Sequence, residues 1–86
     1  MILLDEQVVE DKIYDLVAKK FRVKKAELTK TTFFVRDLRA DSLDMLELML
    51  VISESFNVRI NPCEIPSLHT LGQLIEMIAQ LQKKIS

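Results

Sequence analysis

The chain has 86 residues, of which 49% are hydrophobic and 29% charged, so one compact domain with a modest core is expected over residues 1–86. The net charge of −1 gives no global field for nucleic acid, and one cysteine with one histidine excludes an intrachain disulfide and a tetrahedral metal site within the chain. One glycine and two prolines favour an all-helical fold, because strands need more turn residues.

Two features of the sequence bear on location. The apolar start at residues 1–4 is too short for the core of a signal peptide and has no basic residue before it. No apolar run approaches the roughly 18 residues of a membrane span. Together with a cysteine that has no partner for a disulfide, these features predict a cytoplasmic protein without membrane insertion.

A first helix is predicted from about Asp5 to Phe21. A basic run overlaps its end, at residues 19, 20, 22, 24 and 25. Lys19 and Lys20 complement the negative end of the helix dipole, which accounts for much of this run. A nucleic-acid patch is the alternative, although Phe21 is the one aromatic residue within the run and is needed for the core. The apolar positions at helical spacing are Val9, Ile13, Leu16, Val17 and Phe21.

Helical periodicity lapses between about Arg22 and Ala40, where the sequence predicts a long polar connection. A connection of this length exceeds the roughly 12 to 15 residues usual for structureless loops, so it should be tied to the core. We expect Phe33 or Phe34, together with Leu38, to be buried. The apolar anchors of this loop are Val23, Leu28, Phe33, Phe34 and Leu38.

A second helix is predicted to begin at Ser42. Asp41 and Asp44 have the spacing of an N-cap residue and its N3 partner in a capping box. Ser42 then lies in the first turn, where the positive end of the helix dipole favours an attached anion such as a phosphate ester by roughly 0.3 to 1 kcal/mol. An ordinary helix-start serine is the simpler interpretation, and the rest of the helix argues against it.

This second helix has two apolar faces. At 100° per residue, one face suits packing on a core, and it consists of Met45, Leu48, Met49, Ile52 and Phe56. An apolar face with acidic neighbours is typical of a docking surface. A helix buried all round is the alternative, but 86 residues supply few elements to surround it. The opposite face carries Leu43, Leu46, Leu50 and Val51, with Glu47 and Glu54 among them.

The second helix is predicted to end after Phe56. Asn57 tolerates a left-handed cap, and Pro62 stops a helix from extending backwards. From Pro62 to Ser67 at most one irregular turn is expected, because Pro66 has no amide hydrogen to donate.

A third main helix is predicted to close the chain. Thr70 and Gln73 have the spacing of a second capping box. The predicted fold is therefore all-α, with three main helices, one short irregular helix and a long loop between the first two helices. The apolar stripe of the last helix is Leu71, Leu74, Ile75, Ile78, Leu81 and Ile85.

The motif Asp41-Ser42-Leu43-Asp44, followed by Leu46-Glu47-Leu48, resembles that of the acyl carrier proteins. The resemblance spans nearly the whole chain. It extends to Val23-Lys24-Lys25, Thr32-Phe33 and Asp37-Leu38 in the first loop and to Thr70-Leu71 at the last helix. It implies a small four-helix bundle whose Ser42, between Asp41 and Leu43, bears a 4′-phosphopantetheine arm through a phosphodiester. The arm's thiol would carry acyl groups as thioesters.

The resemblance also implies partners. These are a phosphopantetheinyl transferase and enzymes that transfer or modify acyl groups, with no nucleic acid among them. The chain is expected to be a monomeric carrier and not an enzyme, since no general base can be placed beside Ser42 and His69 suits a loop. The residues implied to face partners are Leu43, Leu46, Glu47, Leu50 and Glu54.

Three departures from the family pattern indicate a specialised carrier. Arg39 stands where the family often has glycine. Ser53 and Ser55 occupy positions that are commonly acidic, and Pro62, Cys63 and Pro66 reduce the acidity of the minor helix. We expect a role in fatty acid, lipid or related biosynthesis, with a fatty or hydroxy-fatty acyl cargo. An aminoacyl or polyketide carrier, and an unmodified helical adaptor that binds a partner through the second helix, remain alternatives.

Overall fold

In a computed structural model, the backbone is described for residues 6–85 and the side chains for residues 7–83. The described chain forms three α-helices and two 3₁₀ helices, and it contains no β-strand. This confirms the predicted all-α class and the order of three main helices with a minor one before the last. The 3₁₀ helix in the first loop was not predicted. The elements are α1 (Glu6–Phe21), the first 3₁₀ helix (Lys25–Glu27), α2 (Ser42–Phe56), the second 3₁₀ helix (Pro62–Ser67) and α3 (Leu71–Ile85).

The core lies where α1 packs against both α2 and α3. The predicted stripes of the three helices supply most of it, although Leu16, Phe21 and Leu81 are only partly buried. Asp5, the predicted start of α1, and the side chain of Ile85 lie outside the described residues. The buried apolar residues are Val9, Ile13, Val17, Leu28, Phe34, Ala40, Met45, Leu48, Met49, Ile52, Phe56, Val58, Leu71, Leu74, Ile75 and Ile78.

The long loop between α1 and α2 is tied to the start of α3 by backbone hydrogen bonds. The Leu71 amide donates to the Thr32 carbonyl at 3.0 Å, and the Gly72 amide donates to the Lys30 carbonyl at 2.9 Å. The predicted capping box supplies the next partner, because the Gln73 amide donates to Thr70 Oγ1 at 3.2 Å. The first amides of α3, which have no partner within the helix, are thus bound.

The apolar anchors of this loop are buried to different degrees. Phe34 is fully buried, as the sequence predicted for one of the two neighbouring phenylalanines, while Phe33 is partly exposed. The Arg36 guanidinium lies 4.2 Å from the centroid of the Phe33 ring. Leu38 packs against the core but is only partly buried, so its predicted burial is confirmed in part.

The prediction of at most one irregular turn from Pro62 to Ser67 was wrong. These residues form a 3₁₀ helix of 6 residues, which is about two turns. The two turns are closed separately, by Glu64 N–H donating to the Asn61 carbonyl and Leu68 N–H donating to the Ile65 carbonyl, each at 3.0 Å. Pro66 follows Ile65 at the second position of the second turn, where no amide donor is needed and proline is favoured.

Gly72 is expected to be intolerant of a side chain even though it lies in a helix. A Cβ added there would come within 2.9 Å of the Lys30 carbonyl oxygen, which must therefore shift. Gly72→Ala should lower the free energy of unfolding by about 1 kcal/mol, because the overpacking cost of about 1 to 3 kcal/mol exceeds the gain in helix propensity. Urea denaturation measures this difference. A stabilised variant would show that the loop yields freely at this contact.

Candidate functional site

Ser42 is the first residue of α2, and its side chain is exposed. The predicted capping box around it is confirmed. The Asp44 amide donates to Asp41 Oδ1 at 2.7 Å, and the Asp41 amide donates to Asp44 Oδ2 at 3.1 Å. Because Asp41 provides the cap, the Ser42 hydroxyl is not needed to begin the helix. Within the described part of the chain, no hydrogen bond or ion pair occupies the Ser42 side chain.

The chain reaches this cap through a compact turn at residues 33–40. The Ala40 amide donates to the Phe34 carbonyl at 2.9 Å, and both of these side chains are buried. At the start of the turn, the Phe33 amide donates to Asp37 Oδ2 at 2.8 Å. The hydrogen bond from Arg36, followed by that from the Phe33 amide, holds the pKa of Asp37 below its usual value. Both hydrogen bonds favour the ionised form of the carboxylate, which closes the turn.

Arg39 is held in the left-handed backbone region, with φ at 58°. Its amide donates to the Val35 carbonyl at 3.1 Å, so this conformation is part of the turn. A residue with a Cβ pays roughly 1 to 2 kcal/mol there, which glycine avoids. Glycine would adopt this backbone conformation without strain, which is a physical reason for a glycine at this position. Arg39 adopts the same conformation with strain.

Arg39→Gly is therefore expected to leave the free energy of unfolding unchanged or raise it by up to about 1 kcal/mol, since relief of strain offsets the extra chain entropy of glycine. Arg59→Gly is the matched control. Arg59 is exposed and does not have a positive φ, so its replacement should lower stability. Chemical denaturation of both variants tests this, and equal losses at the two sites would contradict the assigned strain.

A cleft of about 560 Å³ lies between the start of α2 and the second 3₁₀ helix, and Ser42 lies on its wall. Much of the rest of the wall is apolar and includes Phe34, Met45 and Ile65. His69 also lines this cleft, from the loop position that the sequence predicted for it. The cleft could not be predicted from the sequence, because its walls come from distant segments of the chain.

The two faces of α2 differ in burial as predicted. The residues of the core face are all buried. The opposite face, which we call the docking face, is exposed, so the alternative of a helix buried all round was wrong. Exposed fractions on the docking face are 63% for Leu43, 53% for Leu46, 60% for Leu50 and 44% for Val51.

The acidic edge of the docking face is partly neutralised, which the sequence analysis did not foresee. Lys20, in the last turn of α1, places its Nζ 3.1 Å from Glu47 Oε1 and 3.7 Å from Asp44 Oδ1. The hydrogen bond to Glu47 is the main cause of a raised pKa for Lys20. Lys20 therefore does more than complement the helix dipole. Glu54 is exposed and has no hydrogen-bond or ion-pair partner among the described residues.

The difference in burial between the two faces of α2 should appear in the free energy of unfolding of variants. Ile52→Ala should lower the free energy of unfolding by about 2 to 5 kcal/mol, because it removes a fully buried side chain. Leu50→Ala, the matched control on the docking face, should change it by no more than about 0.5 kcal/mol. Urea denaturation of the two variants gives the comparison. Losses of similar size would mean that Leu50 also stabilises the fold.

The described residues contain neither a membrane-spanning helix nor a cluster of metal ligands. None of the helices in residues 6–85 is both long and apolar enough to cross a membrane. In the same part of the chain, no three histidine, cysteine or acidic residues are grouped so as to hold a metal ion. Cys63 is an exposed free thiol in the second 3₁₀ helix.

Comparison with known proteins agrees with this geometry. The profile of the phosphopantetheine attachment site family matches residues 11–83. The chain is 34% identical over 77 residues to the acyl carrier protein of Guillardia theta, covering 90% of this chain and 95% of the relative. It is 40% identical over 70 residues to that of Porphyromonas gingivalis, covering 81% and 90%, and 33% identical over 78 residues to that of Shigella flexneri, covering 91% and 100%.

The chain therefore belongs to the phosphopantetheine-binding carrier family, and within it to the acyl carrier proteins. The prosthetic group of this family is 4′-phosphopantetheine. Membership implies interaction with a phosphopantetheinyl transferase and with enzymes that handle acyl groups. The resemblance inferred from the Asp41–Asp44 motif is confirmed at the level of the family.

Proposed function

We propose that this chain carries acyl groups as thioesters on a 4′-phosphopantetheine arm attached to Ser42. The observation that carries the proposal is an exposed serine side chain in the first turn of α2, beside a capping box that is complete without it. The proposed unit is a single, monomeric carrier domain over residues 1–86. A cytoplasmic location remains a prediction.

The surroundings of Ser42 suit a phosphodiester in three respects. The hydroxyl is exposed, so a transferase can reach it. The first amides of α2 place the positive end of the helix dipole beside an attached phosphate, which is worth roughly 0.3 to 1 kcal/mol. The capping box of Asp41 and Asp44 holds this first turn rigid, although its two carboxylates also bring negative charge close to the phosphate. Asp41 and Leu43, on either side of the serine, are proposed to orient it for modification.

We propose that the chain itself is not an enzyme. No hydrogen bond within the described residues links the Ser42 hydroxyl to a general base, and a carrier does not need one. When bound, the prosthetic group supplies the thiol that forms the thioester. The domain supplies a fixed attachment point, and a flexible arm then raises the effective concentration of the cargo at a partner's active site.

The docking face is proposed to bind the transferase and the acyl-handling enzymes. Its exposed leucines provide an apolar contact that would be buried in a complex. Glu54, which is exposed and has no partner among the described residues, provides a charge at its edge. The proposed contact residues are Leu43, Leu46, Glu47, Leu50 and Glu54. Nucleic acid is not proposed as a partner, given the net charge of −1.

A fatty or hydroxy-fatty acyl cargo is proposed on the basis of the cleft beside Ser42. Its volume of about 560 Å³ and its largely apolar walls suit an alkyl chain better than a charged aminoacyl group. The weak acidity of the docking face supports a specialised carrier in fatty acid, lipid or related biosynthesis. An aminoacyl or polyketide cargo is the alternative, and cargo identification by mass spectrometry distinguishes the three.

Ser42→Ala should abolish modification while leaving the fold intact, because the side chain is exposed and Asp41 provides the cap. The wild-type chain and the variant are incubated with coenzyme A and a phosphopantetheinyl transferase, and their intact masses are compared. Ser53→Ala is the matched control, since it removes another serine of α2, whose Oγ donates to the Leu50 carbonyl at 2.8 Å. It should be modified like the wild type.

Two results would contradict the proposal. Modification of the Ser42→Ala variant would move the attachment point to another residue. A wild-type chain that gains no pantetheine mass with any transferase would favour the unmodified helical adaptor, for which the exposed apolar face of α2 is also suited.

A further inference from the structure

The ion pairs of Lys20 occupy one edge of the docking face. They join the last turn of α1 to the first two turns of α2, at 3.1 Å to Glu47 and 3.7 Å to Asp44. The Lys20 side chain is 25% exposed, so it is held between the helices and yet reaches the surface. Because Glu47 lies next to Leu46 in the chain, a protein that covers the exposed leucines of α2 would approach this lysine.

These contacts determine which carboxylates of the docking face are available to interact with a partner. Asp44 is engaged through both oxygens, because Oδ2 accepts the Asp41 amide and Oδ1 faces Lys20. Glu47 accepts a hydrogen bond from Lys20. Glu54 is left as the acidic residue of this face without a partner among the described residues. The surface offered to a partner is therefore an apolar strip with a weak acidic edge.

We propose that Lys20 is a specificity-determining residue of the docking face. By occupying Glu47, it favours partners that present an apolar, weakly charged surface to α2 over partners that present a strongly basic one. This inference rests on the proposed function, since it concerns the choice among carrier-binding partners.

The reason is competition between cations for one carboxylate. A basic residue of a partner that approaches Glu47 meets the like charge of Lys20 and must displace it. Lys20 belongs to the same chain and is already placed, so it competes at a high effective concentration. An apolar partner surface leaves the internal pair intact and still covers the leucines. Discrimination of this kind, through a repulsive element aimed at the wrong partner, is a general route to specificity.

The test measures association rates with two forms of one transferase. The first form has basic residues on its carrier-binding surface, and in the second form those residues are neutralised by substitution. Lys20→Gln should raise the association rate with the basic form by about threefold at low ionic strength, because Glu47 becomes available for steering. With the neutralised form, the rate should not change. The gain should shrink between about 0.01 M and about 0.15 M salt, where the Debye length falls from about 30 Å to about 8 Å.

Three variants separate the ion pair from other effects. Lys19→Gln makes the same change of charge at a neighbouring exposed lysine that has no described ion pair, and it should raise the association rate clearly less than Lys20→Gln does, because it releases no carboxylate. Lys20→Arg keeps a cation beside Glu47 and should behave like the wild type. The double variant of Lys20→Gln and Glu47→Gln should lose the gain, since no carboxylate is released.

Equal association rates for Lys20→Gln and the wild type with the basic transferase would overturn the inference. A gain that Lys19→Gln reproduces would do the same, because it would reflect total charge alone. Both results are distinguishable from failure of the proposed function. If Ser42 receives the arm but the association rates do not depend on Lys20, only the present inference is contradicted. If Ser42 never receives the arm, the carrier function itself is contradicted.

Discussion

The attachment of the first loop to the start of α3 is the constraint on which the rest of the structure depends. Two loop carbonyls bind the amides of Leu71 and Gly72, and the His69 carbonyl binds the Phe34 amide in return. These bonds hold the turn at residues 33–40 against the helical core, with Phe34 buried beneath it. Because that turn leads directly into Asp41, the start of α2 and the position of Ser42 are set by contacts made at α3.

The same arrangement allows α2 to be apolar on two sides. Its core face packs against α1 and forms part of the hydrophobic core, which stabilises the fold, whereas the exposed face adds little stability. The exposed leucines add little to the stability of the isolated domain and would become favourable if a partner covered them, as proposed. One face of α2 therefore stabilises the domain, and the opposite face is free for the proposed recognition of partners.

Features that depend on neighbouring residues could be predicted from the sequence, and features that depend on distant ones could not. The capping box of Asp41 and Asp44 and the burial stripes arise from spacings of three or four residues, so they are readable in the sequence alone. The pair between Lys20 and Glu47 joins residues 27 positions apart, and only the packing of α1 on α2 brings them together. The cleft beside Ser42 was missed for the same reason. The second turn of the minor helix could not be predicted from Pro66, because proline disfavours the interior of an α-helix and yet suits the second position of a turn.

Two of the three departures from the family pattern lie on α2 or directly before it, and the unexpected ion pair reaches the same helix. Arg39 precedes the cap of α2, Ser53 lies on α2 itself, and Lys20 reaches the edge of its docking face, whereas the buried stripes keep the pattern that a helical bundle requires. Replacing a charge on an exposed surface alters stability little but alters the field that a partner encounters. Substitutions at such exposed positions are therefore expected to leave the fold intact and to modify recognition. This distribution supports the proposal of a specialised carrier, and it agrees with an apolar docking face whose acidic edge is partly neutralised.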